Sequence, residues 1–189
     1  MSSVCNDNLR DIEYLDHMIP HHQVAVDISL MLQKQTKSAK MQKILRELIR
    51  IQIYEIEMMK MMRNKFPEKV SDDINNDKYI KTGSDFMKPN KLGLTNTYCD
   101  PHFFDPDGHM KHMQHMNIDD KMYLEHMIPH HQVAVDMSKI LIKNTKNDFM
   151  LSLAYNIIKL QQEEIIMLNN YLMSLKNNKG YDYQSELLF

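Results

Sequence analysis

A sixteen-residue segment occurs twice in this chain of 189 residues. YLDHMIPHHQVAVDIS begins at Tyr14 and YLEHMIPHHQVAVDMS at Tyr123; fourteen positions are identical, the exceptions being Asp16/Glu125 and Ile28/Met137. The offset of 109 residues continues without a gap. Thr36 and Lys37 match Thr145 and Lys146, Met41 matches Met150, and Gln52, Glu55 and Met58 match Gln161, Glu164 and Met167. A repeat of this length is one supersecondary unit present twice, so a single architecture has to accommodate both copies.

Each copy reads as two helices. Leu15, Met18, Ile19, His22, Val26, Ser29 and Leu32 recur near helical spacing. Thr36 to Ser38 interrupts them, and Ser38 is a candidate cap for the next helix, as is Asn147 in the second copy. The following helix runs along Met41, Leu45, Leu48, Gln52, Glu55 or Ile56, and Met59, and the spacing predicts its end at Phe66-Pro67. In the second copy the equivalent end falls near Asn177–Gly180. Short connections favour antiparallel hairpins, and two hairpins predict an all-α four-helix bundle with helices of about 26 to 30 residues, roughly 40 Å long. The expected organisation is a first hairpin over 8–66, a long irregular linker over 67–117, a second hairpin over 118–178 and a tail over 179–189. Pro20 and Pro129 lie inside helical patterns, which predicts either a helix start or a bend there.

Composition narrows the function classes. With 23 basic and 25 acidic residues the formal net charge is −2, so there is no electrostatic footprint for nucleic acid. No run approaches the roughly 18 apolar residues a membrane span requires. The N-terminus MSSVCNDNLRD has no apolar signal-peptide core, which favours an intracellular over an exported protein. Cys5 and Cys99 allow one disulfide at most and form no framework. The marked excess is in 18 methionines and 10 histidines, and both types are clustered.

His17 and His21 are four residues apart on one helix face, where two imidazoles can converge on one metal ion. His22 lies about 100° further round, nearer the apolar stripe. His126, His130 and His131 repeat the pattern. Gln52 and Glu55 in the second helix, with their copies Gln161 and Glu164, point inward by spacing. Buried there they demand partners, and either glutamate could ligate a metal directly or orient a ligand histidine. Met58 and Met167 follow three residues behind the glutamates. The linker carries HMKHMQHM, in which His109, Met110, His112, Met113, His115 and Met116 alternate soft donors. Thioethers select Cu(I), and by extension Ag(I), while imidazole serves both oxidation states of copper. Met18, Met41 and Met127 read as core packing, whereas the MMKMM run at Met58–Met62 covers too much of its helix to be wholly buried.

HMIPHHQVAVDM followed by a Gln-x-x-Glu-Ile-x-x-Met helix resembles the family called domain of unknown function 305, and most of all its tandem, CopM-like copper-binding members. The resemblance covers both repeats. It implies a ferritin-like four-helix bundle and copper binding or metal homeostasis, with His17, His21, His22, Gln52, Glu55 and their copies at the matching positions.

The expected function is therefore sequestration or carriage of copper, Cu(I) or Cu(II), with silver as a further cargo, and no catalysis. The partners expected are metal ions. A non-catalytic structural or interaction bundle, in which His and Met merely pack, is the alternative. A ferritin-like metal oxidase is the third reading, but a di-iron site calls for Glu-x-x-His pairs and none occurs here.

Overall fold

In a computed structural model, residues 9–66, 111 and 118–177 are described. They form α1 (Asp11–Gln33), α2 (Ala39–Arg63), α3 (Asp120–Asn144) and α4 (Asp148–Asn177). The order is two hairpins: α1 packs on α2, α3 packs on α4, and the pairs join through α1 against α3. This is the four-helix bundle expected from the repeat. Among the described residues there is no strand, and no helix is long and apolar enough to cross a membrane.

The helix ends follow local chemistry. The backbone N–H of Arg10 donates to Glu13 at 3.0 Å, closing the first turn of α1. Ser38 Oγ accepts from the Met41 N–H at 3.1 Å, Asp119 Oδ1 from Met122 at 2.7 Å, and Asn147 Oδ1 from Phe149 at 3.0 Å and Met150 at 3.2 Å. Ser38 and Asn147 thus cap their helices as their positions predicted. Two expectations shift. α1 runs unbroken through Pro20, starting nine residues before it, and α3 does the same through Pro129. A proline's missing N–H frees only one carbonyl, a loss that the surrounding packing tolerates. α2 ends at Arg63, short of Phe66-Pro67, and Asn64 closes it. At 23, 25, 25 and 30 residues, α1 to α3 are also slightly shorter than expected and α4 is at the upper limit.

The antiparallel contact of α1 and α3 is built around copies of the same residues. Tyr14 hydroxyl lies 2.8 Å from Ser138 Oγ, and at the other end Tyr123 hydroxyl lies 2.8 Å from Ser29 Oγ. Tyr123 is the copy of Tyr14 and Ser138 the copy of Ser29, so the two bonds are one interaction used twice. This reciprocity is the signature of a two-fold relation between the halves.

Two apolar clusters fill the bundle. One includes Leu15, Met18, Met59, Met137, Leu141 and Ile157. The other includes Ile28, Met41, Leu48, Leu124, Met127 and Leu168. Each draws on all four helices, so neither hairpin owns its own core. Met18, Met41 and Met127 are fully buried, as packing methionines should be. Burying one such side chain contributes about 1.5–3 kcal/mol. Going along each helix from one cluster to the other, the chain passes through a polar stretch: His21 and His22, Gln52 and Glu55, His130 and His131, Gln161 and Glu164.

Candidate metal centre

That polar stretch is the middle layer of the bundle. His21, His22 and His131 are 0% exposed and His130 is 1% exposed, which excludes solvent from four imidazoles. Gln52, Glu55, Gln161 and Glu164 are buried with them. The glutamines and glutamates project inward because they continue the apolar stripes of α2 and α4, three and four residues on from core positions.

The layer is organised by two histidine–carboxylate pairs. His22 Nε2 is hydrogen-bonded to Glu55 Oε2 at 2.9 Å, whereas His131 Nε2 lies 2.7 Å from Glu164 Oε2 as a close contact outside hydrogen-bonding geometry. A carboxylate oxygen accepts, so the His22 imidazole carries its hydrogen on Nε2 and its lone pair on Nδ1. In both His22 and His131, Nδ1 is buried with no hydrogen-bond partner within the protein. A carboxylate that fixes a histidine's tautomer and raises its basicity is a recurring support for a metal ligand.

Between the pairs, His21 and His130 stack with centroids 3.7 Å apart, and His21 Nε2–H donates to the His130 carbonyl at 3.1 Å. His126 lies beside them, 6.1 Å from the His130 ring. Burial holds the His21 and His130 imidazoles well below the usual histidine range, and neighbouring histidines push the same way. Both are neutral at physiological pH and keep a lone pair. His17 is also lowered by burial, against the opposing pull of its Nδ1–H bond to the Glu13 carbonyl at 2.6 Å. The phenols of Tyr14 and Tyr123 flank the layer and are raised by burial, so they stay protonated.

The structure thus brings together His21, His22, His130, His131, Glu55 and Glu164, with Gln52 and Gln161 beside them. Gln161 Nε2 lies 3.4 Å from His22 Nε2, while both amide atoms of Gln52 have no hydrogen-bond partner within the protein. His17 is buried but His126, its copy, is only half-buried. Met58 is half-buried, and Met167 is 39% exposed. Of the MMKMM run, Met59 and Met62 enter the core and Met61 faces solvent. His109, Met110, His112, Met113, His115 and Met116 lie outside the described residues, as do Cys5 and Cys99. Ser29 was read as part of the helical stripe, but Tyr14, Tyr123 and Ser138 were not singled out by spacing, although their place inside the identical repeat was the available signal.

The imidazole nitrogens and the nearby thioether suit a soft or borderline cation, whereas the carboxylates are hard donors. A buried polar atom without a partner costs about 1–3 kcal/mol, and the unpartnered atoms of His22, His131, Gln52 and Glu55 all lie in this layer. Among the described residues, however, no three His, Cys, Asp or Glu side chains are arranged to hold a metal ion together.

The model of the family Domain of unknown function (DUF305) matches residues 11–117 and 120–186. The chain belongs to the DUF305 family. Among curated proteins it is similar to uncharacterized protein L153 of Acanthamoeba polyphaga mimivirus, 49% identical over 55 residues. That match spans 29% of this chain and 36% of the viral protein. Among solved structures it is similar to CopM in the Cu(I)-bound form, at 25% identity and a TM-score of 0.59, over 87% of this chain and 96% of CopM. CopM is also known in Cu(II)-bound and Ag-bound forms. The fold is shared with a DUF305 fragment from Deinococcus radiodurans, 18% identical with a TM-score of 0.59 over 87% of this chain and 95% of the fragment. Family membership accounts for the whole duplicated scaffold, since the matched residues include both hairpins.

Proposed function

We propose that this protein binds copper as cargo, Cu(I) foremost, and sequesters or carries it without catalysing a reaction on it. The observation that carries this reading is the pair of buried histidines, His22 and His131, each set against a buried glutamate and each with an Nδ1 that has no hydrogen-bond partner in a solvent-excluded layer. Likeness to CopM, solved with Cu(I), Cu(II) and Ag, supports the choice of metal and extends it to silver.

The direct experiment is a titration with Cu(I) against a competing chelator, with elemental analysis of the isolated complex. Competition that is lost in a His22→Gln/His131→Gln double variant agrees with the proposal. Failure of the unaltered protein to compete sinks it. A second reading, a purely structural bundle, has one observation in its favour: the lack of a ready three-donor group among the described residues. It predicts that the double variant changes stability and leaves metal content as it was.

A further inference from the structure

His22 and His131 are enclosed on all sides, so a cation bound among them needs a way in. A groove of about 380 Å³ runs between α2 and α4. Its walls include the aromatic rings of Tyr54 and Phe149 and the aliphatic chains of Leu153 and Leu160. Two side chains of different character also line it, Glu55 and Met58. They are three residues apart on α2 and therefore share a helix face. Glu55 is 4% exposed; its Oε2 accepts from His22, and its Oε1 is buried with no hydrogen-bond partner within the protein. The groove wall and the histidine layer thus meet at one carboxylate.

We propose that this groove is the entry site for a soft monovalent cation, captured by the Met58 thioether and passed to Glu55 and His22 within the layer. Three features carry it. A thioether on an apolar wall selects Cu(I) or Ag(I) over hard ions. A carboxylate oxygen in a low-dielectric wall attracts a cation far more strongly than the same group in water. Met58 is half-buried in the groove wall, on the same helix face as the buried Glu55. The groove reaches the layer at Glu55, the carboxylate hydrogen-bonded to its histidine.

The inference rests on the copper-binding reading, and the test separates the two. Cu(I) is delivered from a coloured bis-chelate complex to the full chain in a stopped-flow instrument, and equilibrium stoichiometry is measured on the same samples. Ser152 and Asn156 line the groove and are exposed, so Ser152→Trp and Asn156→Trp fill it without disturbing the core. Each should slow loading by about tenfold or more at unchanged stoichiometry. Met58→Leu keeps the side-chain volume and should slow loading without filling the groove. Lys139→Trp, exposed on α3, is the control and should load at the original rate. Circular dichroism confirms that each variant is folded. Wild-type loading rates in all three groove variants would overturn the entry site and leave the copper reading standing. No equilibrium binding by the unaltered protein would overturn both.

Discussion

The rings of His21 and His130 stack 3.7 Å apart with 27° between their planes, and each residue is the copy of the other in the repeat. Two equivalent residues can meet only where the two-fold relation between the halves crosses the structure. The stack therefore marks the centre of the bundle, with Tyr14–Ser138 on one side and Ser29–Tyr123 on the other.

Truncating the stack should be expensive. His21→Ala removes a fully buried ring, its partner's stacking surface and a hydrogen bond, for an expected loss of about 2–4 kcal/mol in urea unfolding. His130→Ala should cost a similar amount. A loss below roughly 0.5 kcal/mol for either would show that the rings are not packed as described.

Acid should unfold the metal-free protein early. Folded His21 and His130 have lowered pKa values, so below about pH 6.5, the ordinary histidine value, the unfolded chain binds protons that the folded chain refuses. Their contribution is complete above that pH and declines as pH falls. Each histidine adds a slope of up to about 1.4 kcal/mol per pH unit until its folded value is reached. Urea midpoints at pH 7.5, 6.0 and 5.0 measure this. A His21→Phe/His130→Phe variant should show a flatter profile, and equal slopes in both proteins would contradict the assignment.

The tyrosine–serine bonds should be energetic equals. Tyr14→Phe and Tyr123→Phe each strip a buried hydroxyl partner, at an expected cost of about 1–2 kcal/mol. The two sites are at opposite ends of the α1–α3 contact, so the double variant should lose the sum to within about 0.5 kcal/mol. Unfolding of the three variants checks both the size and the additivity.

The carboxylates should matter for affinity more than for fold. Glu55→Gln and Glu164→Gln retain shape but remove the carboxylates set against His22 and His131. Chelator competition should show Cu(I) binding weaker by about 10- to 100-fold in each. Unaltered affinity in both would mean that the Nδ1 atoms are not ligands.

Much of this was readable from the chain before any coordinates. The identical segments at Tyr14 and Tyr123 dictate matching hairpins, and Ser38 and Asn147 mark helix starts through chemistry local to three residues. Gln52 and Glu55 were legible as inward-pointing because they interrupt an apolar stripe. Three things were not legible. Pro20 reads locally as a helix start or a bend, yet α1 already begins at Asp11 and continues through it. His17 and His21 read as a pair on one face and Glu55 as a residue in need of a partner, but that the partner is His22, 33 residues away, depends on how α1 meets α2. The groove depends on how α2 meets α4, and no spacing within one helix reports that.

A single hairpin of this kind would bury its histidines only by meeting a second copy of itself, and that homodimer would be symmetric in every detail. Tethering the two halves in one chain removes the dependence on concentration and, with it, the obligation to stay identical. The copies already differ in sequence at Asp16/Glu125 and Ile28/Met137. The fused chain can evolve its two faces separately, while the shared centre still holds both halves to a common geometry.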